Sequence, residues 1–302
     1  MNIREEIKEL KHARNAIILA HNYQLPEVQD IADFVGDSLG LSIQAAGTDA
    51  KTIVFCGVHF MAETAKILSP DKTVLLPDMH SGCPMADMIT AADLRGLKKE
   101  HAKAKFLCYV NTSASVKAEC DLCCTSANAA SMVRDLVKKG DRVVFVPDRH
   151  LAGYAAGLTG ADLVAWHGFC PTHARITAQD ILEARGLHPD AVVLAHPECT
   201  AEVRAAADRV ASTEIMCMYA RDMHAGEFIV ATEVGIIHRL RKENPDKRFY
   251  PACEEAVCPN MKLATLEKVL ASLQDMKHAV TVEREVMHKA RKSIRRMLEY
   301  RA

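Results

Sequence analysis

The sequence predicts an α/β protein of three similar small α/β/α domains, each with a parallel sheet, arranged with pseudo-threefold symmetry around a central active site. Two observations lead to this prediction. Cys83, Cys170 and Cys258 lie 87 and 88 residues apart and divide the 302-residue chain into near-equal thirds. Within each third, β-like runs alternate with helical stretches, and such a repeat indicates copies of one supersecondary unit with parallel strands.

Each third opens with a helix, followed by an apolar run that ends at polar residues, as expected of a strand entering a loop. These first strands are AIILAHNY, KFLCYVN and VVLAHPE. A second helix then begins at a hydroxyl side chain, which we expect to be its N-cap. These residues are Ser38, Ser126 and Thr213, spaced 88 and 87 residues apart. The second strands are TIVFC, RVVFV and EFIVA, each followed by a loop and a third helix.

The last strand of each unit leads into a cysteine loop and then into the next helix. These strands are KTVLL, ADLVAW and KRFY, and the helices are headed by Thr90, Thr177 and Thr265. We therefore expect domains at residues 1–87, 88–174 and 175–263. Residues 264–302 are expected to form a helical tail that packs back on the body, over the first unit.

Composition argues against several classes of function. Charged residues make up 25% of the chain and the net charge is −1, so no overall field attracts nucleic acid or an anionic membrane. The N-terminal stretch lacks the pattern of a signal peptide, and the apolar runs are too short to span a bilayer. Eleven cysteines outside any small secreted framework favour a reducing compartment. We expect a soluble cytoplasmic protein that binds neither nucleic acid nor membrane.

Three cysteines that converge from three units indicate a metal or cluster site. Structural zinc sites take four ligands at short spacings, whereas spacings of 87 residues suit a site between domains. Three thiolates on an iron–sulfur cluster leave one iron free to bind substrate oxygens as a Lewis acid. The alternative is three buried structural cysteines. Cys253 competes with Cys258 for the third position. Cys120, Cys123 and Cys124 contain a C-x2-C that could be a metal knuckle, but it occurs in one unit only, and burial or incidental reactivity is favoured. Burial is also favoured for the remaining cysteines, which are Cys56, Cys108, Cys199 and Cys217.

Polar residues at the ends of the first strands are the acid–base candidates. They form i, i+2 pairs, which can emerge on one side of a strand end. The pairs are His21 and Tyr23, Tyr109 and Asn111, and His196 and Glu198. Imidazole, phenol and carboxylate groups can exchange protons near neutral pH once burial shifts their pKa values. His173 could also face the cavity, and weaker candidates are His59, His150 and Glu233.

The three predicted helix starts form a second candidate feature. Helix N-termini at Ser38, Ser126 and Thr213 would surround one cavity with free N–H groups. Such ends bind carboxylate or phosphate without a basic side chain. Ordinary helix capping is the alternative.

The sequence resembles the quinolinate synthase A family in several segments spread over nearly the whole chain. In order, they are HNYQLPEVQDIADFVGDSLGLS, SGCPMAD, YVNTSASVKAECD, CTSANA, WHGFCPTH, AHPEC and ASTE. The resemblance implies three α/β domains about a pseudo-threefold axis, an oxygen-sensitive [4Fe–4S] cluster and a transferase role in NAD biosynthesis. The implied reaction condenses iminoaspartate (iminosuccinate) with dihydroxyacetone phosphate to quinolinate, with loss of phosphate and two waters.

The resemblance also implies roles for individual residues. Its cluster ligands match Cys83, Cys170 and Cys258. Its substrate-binding positions match His21, Ser38, Tyr109, Asn111, Ser126, His196, Glu198 and Thr213. Tyr23 matches a tyrosine with an acid–base role, so we expect Tyr23 and Glu198 to move protons, with His21 and His196 orienting or protonating the substrate. The implied partners are the two substrates, and a transient contact with the enzyme that supplies iminoaspartate is left open.

Some alternatives remain after this comparison of motifs. The segment CEEAVCPNMK has C-x4-C where some family members have C-x2-C-x2-C, so a redox switch between Cys253 and Cys258 stays open. Another cluster-dependent hydro-lyase acting on a small hydroxy acid is a rival function. A ligand-binding protein or thiol-based sensor is the second rival. No GxGxxG or Walker loop supports a nucleotide-binding protein.

Overall fold

The computed structural model describes residues 2–300 and contains three four-stranded parallel sheets flanked by helices. Helices and strands are numbered in chain order. Each sheet has the same strand order: the second strand of its unit lies at one edge, followed by the first, third and fourth. Because neighbouring strands are parallel, the connections cross over through helices, and the carboxyl ends of the strands meet at one edge. The predicted fold class is confirmed.

The first unit begins with a helix whose N-cap, Asn2, forms a reciprocal capping box with Glu5. Its helices are α1 (Ile3–Ala13), α2 (Pro26–Ile31), α3 (Ser38–Gly47) and α4 (His59–Leu68). Its strands are β1 (Ala16–His21), β2 (Phe34–Gly36), β3 (Thr52–Cys56) and β4 (Thr73–Leu75). They pair in the order β2-β1-β3-β4.

The second unit repeats this arrangement after a short 3-10 helix, Ala86–Met88. Its helices are α5 (Ala91–Glu100), α6 (Ala114–Glu119), α7 (Ala129–Lys138) and α8 (Arg149–Thr159). Its strands are β5 (Lys105–Tyr109), β6 (Leu122–Cys124), β7 (Val143–Val146) and β8 (Leu163–Ala165). The sheet order is β6-β5-β7-β8.

The third unit follows a short helix, α9 (Pro171–Ala174), that begins directly after Cys170. Its other helices are α10 (Ala178–Leu187), α11 (Ala201–Ala206), α12 (Thr213–Asp222) and α13 (Ile236–Glu243). Its strands are β9 (Val192–Ala195), β10 (Arg209–Val210), β11 (Glu227–Ala231) and β12 (Arg248–Pro251), in the order β10-β9-β11-β12. A 3-10 helix, Pro259–Lys262, follows Cys258.

The C-terminal segment forms two further helices, α14 (Leu266–Asp275) and α15 (Arg284–Glu299). Helix α14 packs against α1, and Arg14 donates to the carbonyl of Gln274 at 2.9 Å. Helix α15 packs against α4, α6 and β6. There Ser293 Oγ donates to the carbonyl of Lys117 at 2.9 Å. The tail therefore contacts the second unit as well as the first.

The sheets are buried on both faces, as expected for parallel sheets covered by helices. Every residue of β3 and β7 is buried, which explains why these strands are continuous apolar runs. The largest apolar cluster joins residues of all three units, and a second cluster lies within the third unit. Among residues 2–300, none of the helices has the length and apolar character that crossing a membrane requires.

The N-caps predicted at Ser38, Ser126 and Thr213 are wrong. Asp37 caps α3, accepting from the backbone N–H of Gly40 at 2.8 Å, so Ser38 is the first helical residue. Ser212 stands at the N-cap of α12, and Thr213 again comes one residue later. In the second unit α7 starts at Ala129, three residues after Ser126. In the first and third units the N-cap, Asp37 or Ser212, directly precedes the predicted residue, whereas in the second unit the N-cap is Asn128, two residues after Ser126.

Candidate active site

A cavity enclosing about 690 Å³ of empty space, part of it open to solvent, is lined by residues of all three units. The structure brings all twelve sequence-predicted site residues to its wall. They are His21, Tyr23, Ser38, Cys83, Tyr109, Asn111, Ser126, Cys170, His196, Glu198, Thr213 and Cys258.

The central strand of each sheet places one pair of polar residues at the cavity. Strand β1 ends at His21 and β5 ends at Tyr109, while β9 ends one residue before His196. The second member of each pair follows two residues later, where the chain has left the sheet. The common strand order therefore delivers equivalent positions of the three units to one place.

His21 and His196 have the same hydrogen-bonding arrangement in their two units. The backbone N–H of Tyr23 donates to His21 Nδ1 at 3.2 Å, and that of Glu198 donates to His196 Nδ1 at 3.3 Å. A ring nitrogen that accepts carries no proton, so the proton of each neutral ring lies on Nε2. Burial lowers the pKa of both imidazoles to about 3, so both rings are neutral at pH 7. Each ring therefore offers one N–H donor.

Glu198 is the buried carboxylate of the cavity. Its Oε1 accepts from the hydroxyl of Tyr109, and its Oε2 lies 2.9 Å from His173 Nδ1. Burial alone would raise the pKa of this carboxyl. The neighbouring His173 and His196 and the hydrogen bonds outweigh burial and hold the pKa below its usual value. Glu198 is therefore ionised at neutral pH, because its partners stabilise the charged form.

A chain of hydrogen bonds joins Tyr23 to Glu198 through two residues. Tyr23 Oη lies 2.6 Å from Thr232 Oγ1, which lies 2.8 Å from His173 Nε2. Since a carboxylate only accepts, His173 Nδ1 donates to Glu198, and a singly protonated ring then accepts from Thr232 at Nε2. Burial and the charge of Glu198 raise the pKa of Tyr23 well above its usual value, so its hydroxyl keeps its proton.

His173 and Thr232 were not among the predicted site residues. The sequence placed His173 three residues after Cys170 as a side chain that could face the cavity, and the structure shows that it does. Thr232 directly follows β11, at a position that carries no repeated polar residue in the other units. Its role depends on contacts between units, which spacing within the sequence does not reveal.

The helix starts contribute polar groups to the cavity in a form that differs from the prediction. Ser38 and Thr213, the first residues of α3 and α12, line the cavity, and Thr213 Oγ1 accepts from Asn22 at 2.9 Å. Asp37 lines it too, and burial raises the pKa of this carboxyl to about 6. Asn111 Oδ1 is buried and has no hydrogen-bond partner among residues 2–300. A ligand N–H or O–H group would satisfy this acceptor.

The three repeated cysteines line the cavity as free thiols, one from the loop after the last strand of each unit. Burial raises the pKa of Cys83 to about 12, and the proximity of Cys258 contributes to this increase. Burial also raises the pKa of Cys170, with smaller contributions from Glu198 and Cys83. Protonated thiols are thus favoured in the ligand-free chain, and thiolates require a bound cation.

The spacing of these thiols indicates what they could hold. Within residues 2–300, the set of three candidate ligand atoms that all lie within 4.8 Å of one another is Cys170, His173 and Glu198. Cys83 and Cys258 are outside that set. Two thiolates on one tetrahedral zinc are about 3.8 Å apart, given Zn–S bonds of about 2.3 Å. The three repeated sulfur atoms therefore do not all lie within 4.8 Å of one another. Such a set is compatible with a multi-iron cluster, in which each sulfur binds a different iron.

The weaker candidates lie at different distances from the cavity. Glu233 lines it and is fully buried. His59 lies in a neighbouring outer cavity, which shares Cys83 with the central one. His150 follows the N-cap of α8, and burial and the nearby Arg149 lower its pKa. Neither of these histidines lines the central cavity.

Comparisons with known proteins agree on one family. A family model described as "Quinolinate synthetase A protein" matches residues 5–299. A quinolinate synthase of Dehalococcoides mccartyi (strain CBDB1) is 55% identical over 296 residues, which cover 98% of this chain and 97% of that protein. A quinolinate synthase of Methanosarcina barkeri is 53% identical over 294 residues, 97% of this chain and 96% of that protein. One from Thermodesulfovibrio yellowstonii is 52% identical over 295 residues, 97% of each.

Proposed function

This chain belongs to the quinolinate synthetase A family, and from that premise we propose that it is a quinolinate synthase of NAD biosynthesis. The observation that carries the proposal is the cavity itself. Three sheets meet there, each contributing one cysteine and one polar pair. The relatives that match over nearly the whole chain are named quinolinate synthase.

The proposed reaction condenses iminoaspartate with dihydroxyacetone phosphate. One carbon–carbon bond and one carbon–nitrogen bond form, and phosphate and two waters leave, so no oxidant or reductant is consumed. The chain would act as a transferase on two small anionic substrates. Bond formation and the loss of water both require protons to be moved to and from the substrates, and buried acids and bases provide this chemistry.

Cys83, Cys170 and Cys258 would hold the [4Fe–4S] cluster, because all three line one cavity and three thiolates can each bind a separate iron. When bound, such a cluster supplies a Lewis-acidic iron that polarises substrate oxygens. His173, which lies 3.1 Å from Cys170 Sγ, keeps the thiol and Glu198 in one hydrogen-bonded group.

Glu198 would act as the general base. Its partners hold it ionised at neutral pH, although it is buried. Because His173 Nδ1 already carries the proton that it donates to Glu198, a proton taken by Glu198 stays on this carboxyl group. Thr232 links the opposite nitrogen of His173 to the Tyr23 hydroxyl. Tyr23 keeps its proton and would therefore serve as the acid at the other end of this chain.

The remaining residues would bind and orient the substrates. The Nε2–H groups of His21 and His196 can donate to a carboxylate or carbonyl oxygen, because Nδ1 of each ring accepts from backbone. Ser38, Ser126, Thr213 and the amide NH2 of Asn111 would donate to carboxylate or phosphate oxygens, and Asn111 Oδ1 would accept from a substrate N–H or O–H group. Tyr109 would fix the orientation of Glu198 through their hydrogen bond.

Anaerobic purification followed by an activity assay tests the proposal. The protein should contain about four irons and four sulfides per chain and should form quinolinate from the two substrates. A colourless, iron-free product, or a cluster-bearing protein that forms no quinolinate, would contradict it. The second result would favour another cluster-dependent hydro-lyase, which the same preparation can test with small hydroxy acids.

A further inference from the structure

Lys262 and Glu233 form an ion pair at the wall of the cavity, with 2.8 Å between Nζ and Oε1. The Glu233 side chain is fully buried, and that of Lys262 is 20% exposed. A buried charge of this kind is costly without a partner. The sequence marked Glu233 only as a weak candidate, and the mechanism above uses neither residue.

Glu233 holds the loop that carries Cys258. Its Oε1 also accepts from the backbone N–H of Cys258 at 3.1 Å. Its Oε2 accepts from the backbone N–H of Gly235 at 2.7 Å. The carboxylate is thus shared by the strand end from which it comes and by the loop of the third repeated cysteine.

Lys262 connects the same carboxylate to the first unit. Its Nζ donates to the backbone carbonyl of Tyr23. The three segments approach so closely that a Cβ on Gly235 would lie 2.7 Å from Lys262 Nζ and 2.9 Å from the Tyr23 carbonyl carbon. Glycine is therefore required at this position. The Gly235 carbonyl also accepts from Gln29 of the first unit at 2.9 Å.

We propose that Lys262 is a positioning residue that fixes the Cys258 loop, through Glu233, relative to Tyr23. The inference rests on the proposed function, in which Cys258 is a cluster ligand and Tyr23 an acid. One ammonium group would set the distance between the two, although they belong to different units. Neither Lys262 nor Glu233 needs to touch the substrate for this role.

The test compares Lys262→Met and Glu233→Gln with the unchanged protein. The first readout uses the metal-free, reduced chain: alkylation rates of Cys258 and Cys170, measured for each cysteine by mass spectrometry. Loss of the ion pair should raise the rate ratio of Cys258 to Cys170 several-fold, because only the Cys258 loop loses its support. The second readout is steady-state kinetics of the cluster-loaded enzyme. There kcat should fall about 10- to 100-fold with little change in KM, the range found for residues that orient active groups.

Lys289→Met is the matched control. Lys289 forms an ion pair with Glu285 at 2.7 Å on the exposed surface of α15, away from the central cavity, so both readouts should stay at the level of the unchanged protein. Glu233→Gln decides the question if Lys262→Met does not fold. Equal changes at Cys258 and Cys170, an unchanged ratio, an altered ratio with unchanged kcat, or the same effect in Lys289→Met would each overturn the proposal.

The two readouts also separate this inference from the proposed function. If the unchanged protein forms no quinolinate, the proposed function fails. The alkylation ratio then decides alone whether Lys262 supports the Cys258 loop.

Discussion

At the scale of single residues, the pKa values of the ionisable groups in the cavity depend on their hydrogen-bonding and charged partners. Glu198 and Asp37 are both buried carboxyl groups, yet their pKa values move in opposite directions. Glu198 has two imidazole neighbours and the Tyr109 hydroxyl, which favour its charge. Asp37 has mainly a backbone N–H and is left with the cost of burial. Carboxyl groups that differ in this way take different roles at one pH.

Glu198→Gln tests the assignment of the base. Glutamine keeps the shape of the side chain but cannot accept a proton, so kcat should fall about 100-fold or more. The cluster absorbance should remain, since the three cysteines are unchanged. Activity and the visible spectrum are measured on the same anaerobic sample, with Glu202→Gln as a control on an exposed side chain of the same segment. Unchanged turnover would remove Glu198 from the mechanism.

Asp37→Asn tests the cost of the buried carboxyl by its pH dependence. The pKa of Asp37 in the folded chain is about 6, above the ordinary value of 3.8. Protonation of Asp37 therefore stabilises the folded parent protein fully below pH 3.8, and this stabilisation is lost as the pH rises through about 6. Asparagine carries no charge and can still accept from Gly40. Its stability advantage should therefore grow to about 3 kcal/mol at pH 7.5.

Denaturant unfolding of the metal-free chain at several pH values measures this difference. Because His21 and His196 titrate in both proteins, only the difference between variant and parent isolates Asp37. A difference that stays constant from pH 4 to pH 7.5 would show that the Asp37 carboxyl is not raised in pKa.

The site residues that could be predicted are those that recur at equivalent positions of the three units. His21, Tyr109 and His196 could be identified because each ends or directly follows a strand in register with the others. Thr232 could not, because its importance comes from contacts with Tyr23 and His173 of other segments. The Lys262–Glu233 pair could not be predicted for the same reason.

At the scale of secondary-structure elements, one aspartate stabilises the central strand of every sheet. The backbone N–H of Ile18 donates to Asp33 at 2.8 Å, and that of Phe106 donates to Asp121 at 2.8 Å. In the third unit Val193 donates to Asp208 at 2.7 Å. Each aspartate comes directly before the short edge strand, so the bond ties the first half of the central strand to the turn beside it.

Asp121→Ala should weaken the second sheet. Among residues 2–300, Asp121 has no ion pair, unlike Asp33 and Asp208, so its substitution removes the strand contact alone. The free energy of unfolding should fall by about 1–2 kcal/mol, because a strand N–H loses its acceptor. Chemical denaturation measures this, with Asp121→Asn as the control that keeps an acceptor. Equal losses in both variants would argue that charge, rather than the hydrogen bond, is important.

The sequence predicted the long elements better than the short ones. Strands β3, β7 and β11 match the runs TIVFC, RVVFV and EFIVA to within one residue. Strands β2, β6 and β10 have three residues or fewer, too short to show a period, and were not predicted. Thr90, Thr177 and Thr265 cap their helices as heads of helical stretches should.

At the scale of the whole molecule, the site exists only where the three units meet. Each unit supplies one repeated cysteine, and the tail joins the first two units through α15. Changes in the contact between units should therefore affect the site as strongly as changes within it. We keep the boundaries 1–87, 88–174, 175–263 and 264–302 as the proposed division of the chain.

Substitution of single cysteines tests this dependence on all three units. Cys83→Ala, Cys170→Ala and Cys258→Ala should each abolish cluster loading, since two thiolates leave the cluster without its third ligand. Cys56→Ala and Cys217→Ala are the controls, because both thiols are buried away from the cavity. Iron content and absorbance after anaerobic reconstitution give the result. Full loading of any of the first three variants would exclude that cysteine as a ligand.

The threefold arrangement also limits how a ligand can be oriented. Three identical loops would surround the cavity with identical walls, and a bound molecule would have three equivalent poses of equal energy. The pairs His21–Tyr23, Tyr109–Asn111 and His196–Glu198 differ in their donors, acceptors and charge. These differences make the three poses unequal in energy. Two dissimilar molecules can therefore bind at different positions and in one orientation, although the three units share one fold.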